Sequence, residues 1–126
     1  MEQYEEEHIK IIKYLVDTSK TLIEAVDYIE KNLYEFKTRE ILTIIDEGIE
    51  SVIVCKKSLK VLPSEKSINK QVSSTEVILH SFMKLRENFY DGDVKQCFKI
   101  IEKKLAPEIN LWKSNLETNL QSYTIN

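Results

Sequence analysis

Three observations predict an all-α fold, an antiparallel up-down-up-down four-helix bundle built from two similar helical hairpins. The 126 residues include only two glycines and two prolines, too few turn-formers for a β-rich domain. Apolar residues recur at alternating four- and three-residue spacings over long stretches, the mark of amphipathic helices. The second half also resembles the first at an offset of fifty-six residues without a gap: Asn32, Tyr34, Ile44, Ile45, Ile53, Lys57 and Ser58 recur as Asn88, Tyr90, Ile100, Ile101, Ile109, Lys113 and Ser114. One domain over 1–126 is expected, with hairpin one at about 4–62 and hairpin two at about 64–122.

The first helix is expected from Tyr4 to about Lys31, with a seam of His8, Ile12, Leu15, Ser19, Leu22, Val26 and Ile29. Asn32 to Lys37 breaks this pattern, and Thr38 is the expected N-cap of a second helix running through Ile41, Leu42, Ile45, Ile49, Val52 and Leu59. Gly48 inside it costs about 1 kcal/mol of helix propensity relative to alanine, so it marks either a close helix contact or a tolerated surface position.

Pro63 and Ser64 end that helix. Applying the offset to the first helix predicts the seam of the third: Ser64, Ile68, Gln71, Thr75, Ile78, Phe82 and Leu85, with Ser19 and Thr75 as matching small positions. Ser73 and Glu76 also have capping-box spacing, which offers a later start near Ser74; the early start near Ser64 is preferred. Gly92 favours a turn, and Asp93 with Gln96 makes a capping box, so a fourth helix begins at Val94. It continues through Phe98, Ile101, Leu105, Ile109, Trp112, Leu116 and Leu120, with a kink expected near Lys103 because Pro107 cannot donate a backbone hydrogen bond.

Composition excludes several function classes. Cys55 and Cys97 have neither Cys-x-x-Cys spacing nor a neighbouring histidine, and read as reduced packing residues. An acidic N-terminus and the lack of a long apolar run argue against a secretory signal or a membrane span, so a cytoplasmic location is expected. Net charge is −3, with nine basic and thirteen acidic residues up to Leu62. Such a chain lacks the clustered positive surface that nucleic acid requires. Heavy use of Ile, Lys, Asn and Glu is that of a bacterial-type, AT-rich genome.

Acidic pairs are the first candidates for chemistry. Glu2, Glu5, Glu24 and Asp27 match the spacing used by all-α nucleotide pyrophosphatases to hold magnesium, but on one helix the two pairs would lie roughly 30 Å apart. Glu24, Asp27, Glu47 and Glu50 form a better metal candidate, since antiparallel packing brings them to similar heights. Their azimuth opposes it: Glu24 falls opposite the core face and Asp27 on its flank. A bundle-type di-iron site needs two Glu-x-x-His motifs, and only Glu5 and His8 supply one. Cys97 and His80 differ by about one and a half turns in distance from the intervening turn, which puts a nucleophile and base out of ordinary reach. Two isolated glycines cannot build a phosphate loop.

Aromatic residues are the remaining signal, because they concentrate at the centres of protein interfaces. Tyr34, Phe36, Phe89 and Tyr90 lie in or beside the two equivalent turns and should share one end of the bundle, as a plug of the core or as a partner-binding patch. The expected function is that of a protein-interaction, adaptor or chaperone-like module without catalytic activity and without a cofactor. Its partner would be another protein, or a second copy closing the apolar stripe in a homodimer. A divalent-metal-dependent nucleotide or phosphate hydrolase is the alternative, and an apolar ligand held in the bundle core is a second one.

Overall fold

The computed structural model describes residues 6–35 and 37–120. The chain forms α1 (Glu6–Lys31), α2 (Thr38–Leu59), α3 (Lys66–Tyr90), α4 (Val94–Ile100), a π turn (Ile101–Leu105) and α5 (Ala106–Asn119). The last three run on as one arm, so four helical arms result. Around the bundle α1 packs on α2 and α5, and α3 packs on α2, α4 and α5. Directions follow from named contacts: Asp46 meets Arg86 and Lys56 meets Glu76, so α2 and α3 are antiparallel. Val26 shares a recess with Ala106 and Ile109, which sets the second half of α1 beside the start of α5.

The apolar seams meet along the bundle axis. Ile12, Leu15, Leu22, Val26 and Ile29 of α1 are buried with Ile41, Ile45, Val52, Cys55 and Leu59 of α2. From α3 come Ile68, Ile78, Phe82 and Leu85, and from the fourth arm Ile101, Leu105, Ile109, Trp112 and Leu116. Ser19 and Thr75 are buried too, and each satisfies its hydroxyl locally, donating at 2.6 Å to the carbonyl three residues earlier, Val16 and Val72. A small side chain with its own local bond leaves the neighbouring helix free to approach.

One expected cap is corrected, and one alternative helix start is not used. Thr38 is the first residue of α2 rather than its cap; Lys37 holds that position and has no side-chain acceptor to offer. Ser73 lies inside α3, which begins early, at Lys66, so Ser73 and Glu76 form no capping box. The turn before α4 follows expectation: Gly92 has φ 75°, and the Asp93 Oδ1 accepts from the Gln96 N–H at 3.1 Å.

Near Lys103, where a proline-induced kink is expected, the backbone widens instead into the π turn, with the Ala106 N–H reaching back to the Ile101 carbonyl. Pro107 has no N–H to give, so the ladder before it tolerates an extra residue at little cost. The extra residue also widens the spacing of buried positions in the fourth arm, where Ile101, Leu105 and Ile109 follow one another at four-residue steps. Ile45 and Ile101, fifty-six apart, are both buried; beyond them the buried positions Val52, Cys55 and Leu59 answer to Ile109, Trp112 and Leu116, fifty-seven apart. The gapless offset, which pairs Ile53 with Ile109, loses register there.

Gly48 is buried, and it marks a close helix contact. A Cβ built on it would stand 2.8 Å from both Cε1 and Cζ of Phe82, which is itself fully buried. Gly48→Ala should therefore lower stability by on the order of 1 kcal/mol, because overpacking of about 1–3 kcal/mol exceeds the propensity gain of about 1 kcal/mol. Chemical denaturation should show that Phe82→Leu shrinks this penalty; a Gly48→Ala protein more stable than wild type would disprove the contact.

Candidate functional site

The links between α1 and α2 and between α3 and α4 lie at one end of the bundle, because Tyr34 packs on Phe98 with ring centroids 5.2 Å apart. Tyr34 remains 72% exposed, although its body is held by that tilted contact. Tyr90, at the end of α3, is 59% exposed and is fixed by Arg86, whose guanidinium lies 4.8 Å from the ring centroid. Phe89 is half-buried against the core. The four turn aromatics thus divide: Phe89 closes the core, Tyr34 and Tyr90 face water, and Phe36 lies outside the described residues.

From Tyr90 a groove of ≈ 740 Å³ runs between α2 and α3, with Ile49 and Met83 along it and Asp46, Glu50, Glu87 and Asp91 about its rim. Arg86, the one cation among the described residues that line it, donates from Nε to the Asp46 Oδ1 at 2.5 Å, and that carboxylate raises the Arg86 pKa by holding its proton. Sequence reasoning passed over this surface. The signal was Met83 and Tyr90, seven residues apart on the solvent side of α3, away from its buried seam.

The carboxylates proposed for a metal are dispersed. Glu24 is exposed, Asp27 pairs with Lys31 at 2.9 Å, and Glu47 borders a second groove between α1 and α2, beside Tyr14 and Val54, which Glu50 also reaches from the rim of the first. Among the described residues no group of three or more His, Cys, Asp and Glu side chains is placed to hold a metal ion. Glu2 and Glu5 lie outside those residues.

With the four arms and their surfaces defined, comparison of the sequence with family models is decisive. A family model described as a domain of unknown function, DUF8042, matches residues 10–115, from within α1 to within α5. The chain belongs to the DUF8042 family. No curated protein and no solved structure matches it. The DUF8042 match reaches into all four arms.

Within this DUF8042 bundle the thiols are poor nucleophiles. Burial pushes Cys55 up to about 12, against a smaller lowering by a hydrogen bond from Thr18. Burial raises Cys97 to about 11, with Asp93 adding to the effect. Both are neutral near pH 7. Cys97 lies level with Leu85, whereas His80 borders a groove with Lys104 and Glu108, so the fold does not bring that pair together. No helix among the described residues is long and apolar enough to cross a membrane.

Proposed function

We propose that the protein is a non-catalytic interaction module, an adaptor or chaperone-like bundle that binds a protein partner through its turn-end aromatic surface. The observation that carries this reading is the exposure of Tyr34 and Tyr90, at 72% and 59%, on positions where neighbouring side chains already order them. A plug of the core would be buried, as Phe89 partly is. Rigid tyrosines with an apolar body and a polar tip lose little conformational entropy on binding, which is why they serve as interface anchors.

In the same reading the two hairpins are variants of one unit, fifty-six residues apart through Ile101 and fifty-seven beyond it. The matched burial of Ile68, Gln71, Thr75, Ile78, Phe82 and Leu85 with Ile12, Leu15, Ser19, Leu22, Val26 and Ile29 supports it. The π turn supplies the one-residue difference.

Partner recovery on wild-type protein and on Tyr34→Ala and Tyr90→Ala variants tests the proposal, after thermal unfolding has shown both variants to be folded. Each substitution should reduce recovery of a specific partner by about tenfold or more, the size expected of an interface anchor. Unchanged recovery with both variants would remove the turn aromatics from the interface.

A further inference from the structure

The geometry points to a partner of defined chemistry for the groove between α2 and α3: a basic amphipathic helix of two to three turns, its apolar stripe on Ile49, Met83 and Tyr90 and its lysines or arginines against Glu50, Glu87 and Asp91. This inference rests on the interaction reading and specifies what the surface beside Tyr90 takes.

Charge complementarity is the first argument. Among the described residues four carboxylates border the groove, and the single cation there is already committed to Asp46. Among the described residues no ion pair engages Glu50, Glu87 or Asp91. The end of α3 sharpens the imbalance. Its last turn holds no basic residue, Glu87 lies within that turn and Asp91 is the C-cap. A helix C-terminus is itself partially negative and is ordinarily balanced by cations, as Lys56 and Lys57 balance α2. At the end of α3 no side chain of the last turn supplies that charge, so an incoming cation would meet it uncompensated.

Shape and backbone chemistry select a helix. Ile49, Met83 and Tyr90 give the groove an apolar lining in which Met83 is 49% exposed; an unbranched thioether adapts to varied apolar side chains. A depression between two antiparallel helices accepts the side-chain ridges of a third. An extended peptide would need unpaired backbone groups to pair with, and α2 and α3 flank the groove with backbone already bonded within helices. A helix arrives with its own backbone satisfied and asks only for side-chain contacts.

The test uses the whole chain and three synthetic peptides, each acetylated and amidated. The first is a lysine-rich helix with leucines at i, i+3, i+4 and i+7. The second has the same composition with the leucines scattered around the helix, and the third replaces every lysine with glutamate. Fluorescence anisotropy should show the striped basic peptide binding at least tenfold more tightly than either control. Amide shift changes should centre on Ile49, Met83 and Tyr90. The double reversal Glu87→Lys with Asp91→Lys should weaken binding at least tenfold, while Glu24→Lys, away from the groove, should leave it within twofold.

Equal binding of the scattered peptide would reduce the effect to bulk charge and overturn the inference. So would shifts centred elsewhere, insensitivity to the double reversal, or a stable dimer of the free protein that covers this face. Failure here is separable from failure of the broader reading. If Tyr34→Ala abolishes partner recovery while the double reversal changes nothing, the module binds proteins but not through this groove.

Discussion

Deleting Lys103 together with Pro107→Ala should leave a folded bundle, whereas deleting Glu47 from α2 should abolish folding. Both are single-residue losses at exposed helical positions. The difference lies in the π turn. In a regular α-helix each four-residue step advances the azimuth by about 40°, so the steps from Cys97 to Ile101, Leu105 and Ile109 would carry the seam about 120° around the arm. The wider turn at Ile101–Leu105 takes that drift back. Without Lys103 the seam residues fall at spacings of four, three, four, three and four through Leu116, the ordinary α pattern, and an alanine at 107 can rejoin the hydrogen-bond ladder.

No such reserve exists in α2, whose buried positions Ile41, Ile45, Gly48, Val52, Cys55 and Leu59 already follow regular α spacing. Losing Glu47 rotates everything beyond it by about 100°. Val52, Cys55 and Leu59 would leave the core at about 1.5–3 kcal/mol each, a loss comparable with the whole stability of about 5–15 kcal/mol typical of a domain. Far-UV circular dichroism and urea titration on the two deletion proteins would decide the matter. An unfolded Lys103-deleted protein would refute the role assigned to the π turn.

Trp112→Ala should cost about 3–5 kcal/mol, the largest effect expected of a single substitution. Trp112 is 1% exposed and lies in the arm that touches both α1 and α3. Its removal leaves a void between three arms, which the fixed helices around it can fill only in part. Trp112→Phe should lose well under half as much. The indole Nε1 is buried and has no hydrogen-bond partner among the described residues, and phenylalanine removes that donor, worth about 1–3 kcal/mol, while retaining most of the apolar surface. Midpoints of guanidinium unfolding, with comparable slopes, would check both values. Equal losses for the two variants would mean that the indole nitrogen has a partner in solution.

Much of this architecture is legible in the residues themselves. The seam from Ile12 to Ile29 is helical in spacing, the third seam from Ile68 to Leu85 follows from the first by simple offset although Ser64 lies exposed ahead of α3, and Gly92 with Asp93 specifies a turn and cap that form as expected. Such features depend on a few neighbouring residues. Gly48 is different, because its significance depends on Phe82, thirty-four positions away, and two packed helices had to be in place before the clash distance existed. The π turn escaped notice for a related reason. Identities such as Ile53 with Ile109 favour a gapless comparison, while burial places Ile109 with Val52. Tyr34 and Tyr90 were visible as candidates from their place in the turns. The groove beside Tyr90 was not, since its two walls belong to different helices and its charge imbalance emerges only when Arg86 is seen to be spent on Asp46.

The closed ring of arms carries a kinetic consequence. Three of its seams, α1 with α2, α2 with α3, and α3 with the fourth arm, join segments adjacent in the chain, so each can form by closing one short loop. The fourth, between α1 and α5, unites the two ends of the chain. Closure entropy grows only slowly with loop length, but non-local contacts gain nothing until the chain between them is ordered. The α1 to α5 seam is therefore the step that turns three local pairings into one cooperative unit.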